Sequence, residues 1–137
     1  VTGLVLAAGF GTRLKPLTDH VPKALVPVGG RPLLSRCLDA LAKNGVGPLC
    51  VNSHHGHELM LQFAGRSPVR FELFHEQPRI RGTGGALAHA RDFLARDGFF
   101  AVWNVDILCQ PDLRSVIDAF VRSGDECALL AAPPKQT

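Results

Sequence analysis

The 137-residue chain has no tyrosine, one tryptophan and one methionine. Its eight phenylalanines fall mostly in apolar runs, and no block of basic residues interrupts them. Net charge is only +3, from 15 Lys and Arg against 12 Asp and Glu. This is a mild lean toward anionic ligands, and polymeric nucleic acid is not an expected partner. No apolar run is long enough to span a bilayer and no secretory signal opens the chain, so no membrane is expected as a partner and a cytoplasmic location is the default. None of the four cysteines forms a C-x-x-C pair. Cys37, Cys50, Cys109 and Cys127 are expected to be buried free thiols in a reducing compartment. There is no opening methionine, and the chain stops in PPKQT just past an apolar run. We therefore expect a piece of a longer protein.

The chain does have the length of one domain and 46% apolar residues, enough for a core. Strand-like and helix-like segments alternate. Strands are expected at 3–8, 48–55, 69–76, 99–108 and 126–132, and helices at 31–45, 57–65, 83–98 and 111–124. A long connection covers 9–30, ordered by Leu14, Leu17, Val21, Leu25 and Val28. Such alternation predicts an α/β fold: a three-layer α/β/α, mostly parallel, Rossmann-like sheet. Ligands of such sheets bind outside the carboxyl ends of the strands. Three polar clusters fall there and should converge: the loop after Ala8, residues 52–57, and Asn104 to Asp106.

The first cluster, LAAGFGTRLKPLTDHVPK at 6–23, sets Arg13, Lys15 and Lys23 against a single acid, Asp19. Gly9 and Gly11 permit backbone angles and close approaches closed to other residues, so the loop is either an anion nest or a plain tight turn. Two familiar phosphate loops fail. No lysine follows a glycine as a P-loop requires. The dinucleotide fingerprint needs a third glycine where Leu14 stands, a continuous helix that Pro16, Pro22 and Pro27 prevent, and an acid near 29–35 that is missing. A nicotinamide oxidoreductase is thereby set aside. His54, His55 and His57 suggest a metal cluster, but neighbouring strand residues point to opposite faces and rarely share one ion. Trp103, mid-strand among apolar residues, reads as core.

The run L-A-A-G-x-G-T-R-L-x-P-L-T-x-x-x-P-K-x-L-x-P-V-x-G-x-P-L from Leu6 to Leu33, continued by VNSHH, EQPRIRGTGGAL and WNVDIL, resembles the sugar-1-phosphate nucleotidyltransferases. Among these it is similar to mannose-1-phosphate guanylyltransferases and N-acetylmuramate-1-phosphate uridylyltransferases. The resemblance implies transfer of a nucleotidyl group from a nucleoside triphosphate to a sugar 1-phosphate, with Mg²⁺ as cofactor, and leaves room for a homo-oligomer. It implies Arg13 and Lys23 as catalytic residues, gripping phosphate oxygens. Leu6, Ala7, Ala8, Gly9, Gly11, Thr12, Arg13, Asn52, Glu76, Gly84, Gly85 and Asn104 are then nucleotide contacts. Asp106 is then the metal ligand, although Val105 stands where the family usually has glycine, and its Cβ is expected to narrow the crevice or restrict the backbone. Residues 1–137 would be the nucleotide-binding part, the second metal acid and most of the sugar pocket lying beyond Thr137. A catalytically weak nucleotide-binding relative is the alternative.

Overall fold

The computed structural model of the chain describes residues 1–131. Four strands form one parallel sheet: β1 (Thr2–Leu6), β4 (Leu49–Ser53), β5 (Glu72–His75) and β6 (Phe100–Asn104), in the order β5-β4-β1-β6. The remaining two, β2 (Pro27–Val28) and β3 (Arg31–Pro32), make a small antiparallel pair within the long connection. The helices are α1 (Leu33–Lys43), α2 (His57–Arg66), α3 (Gly82–His89), α4 (Arg91–Leu94) and α5 (Leu113–Ser123).

Alternation along β1 divides the interior into two cores. Val5 and Ala7 face one side, where Leu34, Cys37, Leu38 and Leu41 of α1 pack with Met60 of α2 and Trp103. Leu4 faces the other, with Cys50, Ala90, and Phe93 and Leu94 of α4. The central strand is thus covered on both faces, as a parallel sheet requires. β6 is an edge, and its face bearing Phe100 and Val102 stays 43% and 44% exposed.

Several expected boundaries move. The strand expected over 99–108 ends at Asn104, where a turn closed by Ile107 N–H to Asn104 O takes over. This shortening puts Val105 and Asp106 in a loop rather than on the sheet. The helix expected over 83–98 breaks at Ala90 into α3 and α4, with a 3-10 turn at Ala95–Asp97. No strand forms over residues 126–131, and residue 132 lies outside the described residues. Apolar composition does not suffice there: a strand needs a paired neighbour, and none meets this segment among the described residues.

The long connection is not structureless. Three 3-10 turns, at Thr12–Leu14, Leu17–Asp19 and Lys23–Leu25, order it. Its buried residues are Thr18, Pro22, Ala24 and Val26, whereas Leu14, Leu17 and Val28 are exposed. Thr18 can be buried because its hydroxyl donates to Gly11 O at 2.9 Å. Gly11, at φ 66°, is needed twice over: an added Cβ would also lie 2.8 Å from Thr18 Cγ2 and 3.0 Å from Lys23 Cβ.

Only two of the four cysteines are buried. Cys37 and Cys50 lie in the cores, while Cys109 and Cys127 are exposed. Burial pushes both buried thiols up to about 12. At pH 8 a thiol reagent such as DTNB should label Cys109 and Cys127 in the native chain, and all four cysteines in denaturant. Rapid labelling of Cys37 or Cys50 without denaturant would contradict this packing.

Candidate active site

Parallel register brings three strand ends to one level. Leu6 pairs with Asn104, and Val5 with Val51, which leaves Asn52 beside the start of the loop after β1. A cleft of about 220 Å³ opens there. Its floor is Leu6 to Gly9 and Asn52, and its walls carry Lys23 and Asn104 to Asp106 on one side and Ile80, Gly82 and Thr83 on the other. An added Cβ at Gly9 would meet nothing within 4 Å. The space above that backbone is therefore open to a ligand.

On the first of these walls Lys23 Nζ donates to Asp106 Oδ2. The lysine side chain is 18% exposed and the aspartate 41%. This hydrogen bond, helped by the charges of Lys23 and Arg13, holds the Asp106 carboxyl below the usual carboxylate range; partial burial works against it. Arg13, in the first 3-10 turn, is exposed and has no ion pair or side-chain hydrogen bond among the described residues. Lys15, by contrast, pairs with Asp19 at 3.0 Å.

Val105 does not strain the loop, because no residue other than glycine has a positive φ. It borders the cleft but is buried beside Cys37, whose thiol donates to Val105 O at 3.4 Å. Val105 therefore fits this loop without backbone strain.

Not every expected site residue lines the cleft. Gly11, Thr12, Arg13, Glu76, Gly84 and Gly85 do not. Gly85 is required by packing within its own helix, since an added Cβ would lie 2.6 Å from Arg81 Cβ. Glu76 is fully buried and hydrogen-bonded inside the protein. His57 stacks on His75 at 3.6 Å, and His54 Nδ1 lies 2.8 Å from Glu76 O. Sequence reasoning overlooked Ile80, Gly82 and Thr83. Their signal was the run RGTGG, in which the first glycine, at φ 67°, starts α3 at the cleft. The unpaired N–H groups of that first helical turn suit anions and polar ligand edges.

Among the described residues, Asp106 is the one carboxylate on the cleft wall. No group of three His, Cys, Asp or Glu side chains that could hold a metal occurs among the described residues. A single wall carboxylate is a donor of the kind Mg²⁺ takes, since that ion is commonly held by one or two carboxylates with phosphate oxygens and water completing its shell. A larger depression of about 530 Å³ lies between α1 and residues 108–111. Two of its cations are already engaged, Arg31 with Asp39 and Arg36 with Val28 O.

The chain matches the family model described as nucleotidyl transferase over residues 2–137. It is 32% identical over 133 residues to a mannose-1-phosphate guanyltransferase of Saccharomyces cerevisiae, covering 94% of this chain and 37% of that protein. A mannose-1-phosphate guanyltransferase of Schizosaccharomyces pombe is 37% identical over 111 residues, 78% of this chain and 31% of that one. The crystal structure of HddC from Yersinia pseudotuberculosis, complexed with GMP-PN, superposes with a TM-score of 0.76 at 26% identity, covering 88% of this chain and 54% of that one. The chain spans 37% or less of these two curated relatives and about half of that solved chain.

The Lys23–Asp106 pair has a signature in acid. Because Asp106 titrates low in the folded protein, its pairing contributes stability above the ordinary carboxylate value, about 4, and loses it as pH falls through the folded value. Both groups reach solvent, so the contribution is that of a surface pair, about 1 kcal/mol or less. Lys23→Met should lower the urea midpoint at pH 7, and the two proteins should converge toward pH 2. A gap that stays constant across that range would show that Lys23 does not lower Asp106.

Proposed function

Because the chain belongs to the nucleotidyl transferase family, we propose that residues 1–137 form the nucleotide-binding part of a sugar-1-phosphate nucleotidyltransferase. The observation that carries this reading is the cleft itself. It pairs a side-chain-free stretch of backbone at Gly9 with an ammonium and a carboxylate held face to face.

In the reaction, a phosphate oxygen of the sugar 1-phosphate attacks the α-phosphorus of the nucleoside triphosphate. The bond from that phosphorus to the oxygen bridging to the β-phosphorus breaks, and pyrophosphate leaves. No proton need be taken from a sugar phosphate dianion. The protein's task is to hold two anions in line and to neutralise developing charge.

Lys23 suits the space between the two phosphates, because its ammonium already projects into the cleft on a flexible stem. Arg13, exposed and close enough for its charge to act on Asp106, suits the leaving pyrophosphate, which it can grip with paired N–H groups. Asp106 would hold Mg²⁺, which when bound neutralises phosphate charge. The backbone of Ala8 and Gly9 and the start of α3 suit the remainder of the nucleotide. This reading places the enzyme in the cytoplasm and leaves a homo-oligomer open.

Relatives named as mannose-1-phosphate guanyltransferases, and the HddC complex with GMP-PN, make GTP and mannose 1-phosphate the first substrates to try. Pyrophosphate release should be followed with the full-length protein across GTP, UTP, CTP and dTTP and a panel of sugar 1-phosphates. We expect release with one pairing, and its loss on chelation with EDTA. Binding of a nucleotide without release from any pairing would favour a catalytically weak relative. Arg13→Ala should lower turnover about 100-fold or more, while the exposed position leaves the melting temperature unchanged. Near wild-type turnover in that variant would remove Arg13 from the mechanism.

A further inference from the structure

Glu76 is 0% exposed, yet it carries a carboxylate. A buried carboxylate is tolerated only where its oxygens find donors. Both do: Oε1 accepts from Asn52 Nδ2 at 2.8 Å, and Oε2 accepts from the backbone N–H of Arg81 at 2.6 Å. Asn52, itself buried, uses its other end to accept from the backbone N–H of Ala7 at 2.6 Å. The main chain of Glu76 is fixed as well, its N–H donating to Ser53 O at 2.8 Å.

The result is an unbroken chain of hydrogen bonds across the floor of the cleft. It starts at Ala7, where the loop after β1 begins, and ends at Arg81, the residue before α3. These two ends fix the floor and one wall of the space that a nucleotide would occupy. We propose that Asn52 and Glu76 act as a positioning pair that sets the distance between them, and that Glu76 does not itself contact the ligand. This inference rests on the nucleotide-binding reading and changes the role assigned to Glu76 within it.

The chemistry of the chain makes the proposal sharp. Both termini are backbone N–H groups, which only donate, so each end must present an acceptor. The middle contact then needs one donor and one acceptor. Asn52 with Glu76 meets all three demands. The exchanged pair, Asn52→Asp combined with Glu76→Gln, meets them too: the introduced aspartate accepts from Ala7 and from the introduced glutamine amide, whose oxygen accepts from Arg81. The total charge is unchanged. Either single change fails. Asn52→Asp sets carboxylate against carboxylate, and Glu76→Gln leaves an N–H facing another N–H, each an unsatisfied buried contact.

The test is a double-mutant cycle on the full-length protein, with GTP, UTP, CTP or dTTP as the probe, whichever wild type binds most tightly. Binding is measured by calorimetry at a temperature where circular dichroism shows every variant folded. Asn52→Asp and Glu76→Gln should each weaken binding tenfold or more, and the double variant should return to within threefold of wild type. Single variants that melt lower but bind as wild type does would overturn the proposal, since that is the behaviour of a merely structural pair. If a single variant does not fold, the exchange alone decides: a folded double variant tenfold or more weaker than wild type also overturns it. Wild-type protein that binds none of the four nucleotides would instead overturn the nucleotidyl-transfer reading.

Discussion

Parallel pairing of β1 with β4 and β6 is the constraint from which the site follows. β1 lies between the two, and its last residues pair in step with both, Val5 with Val51 in β4 and Leu6 with Asn104 at the end of β6. Strands that run the same way must discharge their loops at the same end of the sheet. The glycine loop, the Asn52 corner and the Asn104–Asp106 turn therefore meet whatever their separation in sequence. Lys23 and Asp106 are 83 positions apart and can form an ion pair because their loops leave the same end of the sheet. The two-sided core enforces this. A slip of one residue in β1 would exchange Leu4 with Val5 between cores of different shape.

What could be read from the sequence is what short-range pattern controls. The alternation of strand and helix was legible, because each buried segment shows its own period. Trp103 was legible as core for the same reason, and its indole N–H is satisfied by Ile107 O at 3.0 Å. The meeting of Ala8, Gly9 and Lys23 at one cleft was legible because parallel strands release their loops at one end of the sheet. The misreadings share another cause. Leu14 and Leu17 carry the apolar pattern of the long connection, but Thr18, Pro22 and Ala24 fill its interior. A threonine goes inside only if an acceptor waits there, and Gly11 O is supplied by the fold of the loop rather than by any local pattern. The apolar run over 126–131 has the composition of a strand, but pairing is a property of two segments and composition describes only one.

Glu76 is the strongest case of that kind. From sequence alone it is a polar residue at a strand end in a site-like motif, and contact with the nucleotide is the natural expectation. Its burial becomes reasonable only once Asn52, 24 positions earlier, and the Arg81 N–H are known to converge on it. No periodicity announces such a triad. The same limit explains why Ile80, Gly82 and Thr83 do not stand out in the sequence as cleft walls. They reach the cleft because α3 begins beside β1, and the sheet order that puts it there is a tertiary fact.

The protein thus uses two kinds of charge at one site, and their difference follows from solvent. Glu76 is sealed, and its partners are neutral N–H groups that cannot be exchanged without exposing a buried carboxylate. It belongs to the frame. Lys23 and Asp106 face water, so their attraction is screened to about 1 kcal/mol or less. Each can trade the other for a better partner at little cost, the ammonium for a phosphate oxygen and the carboxylate for a divalent cation. A fully buried pair in the same place would resist that exchange by several kcal/mol. Two unpaired like charges would repel an incoming ligand or each other. An exposed pair of opposite charges avoids both problems. It leaves the two charges balanced in the free protein, and under the proposed function it would separate at little cost when a nucleotide and its metal ion enter together.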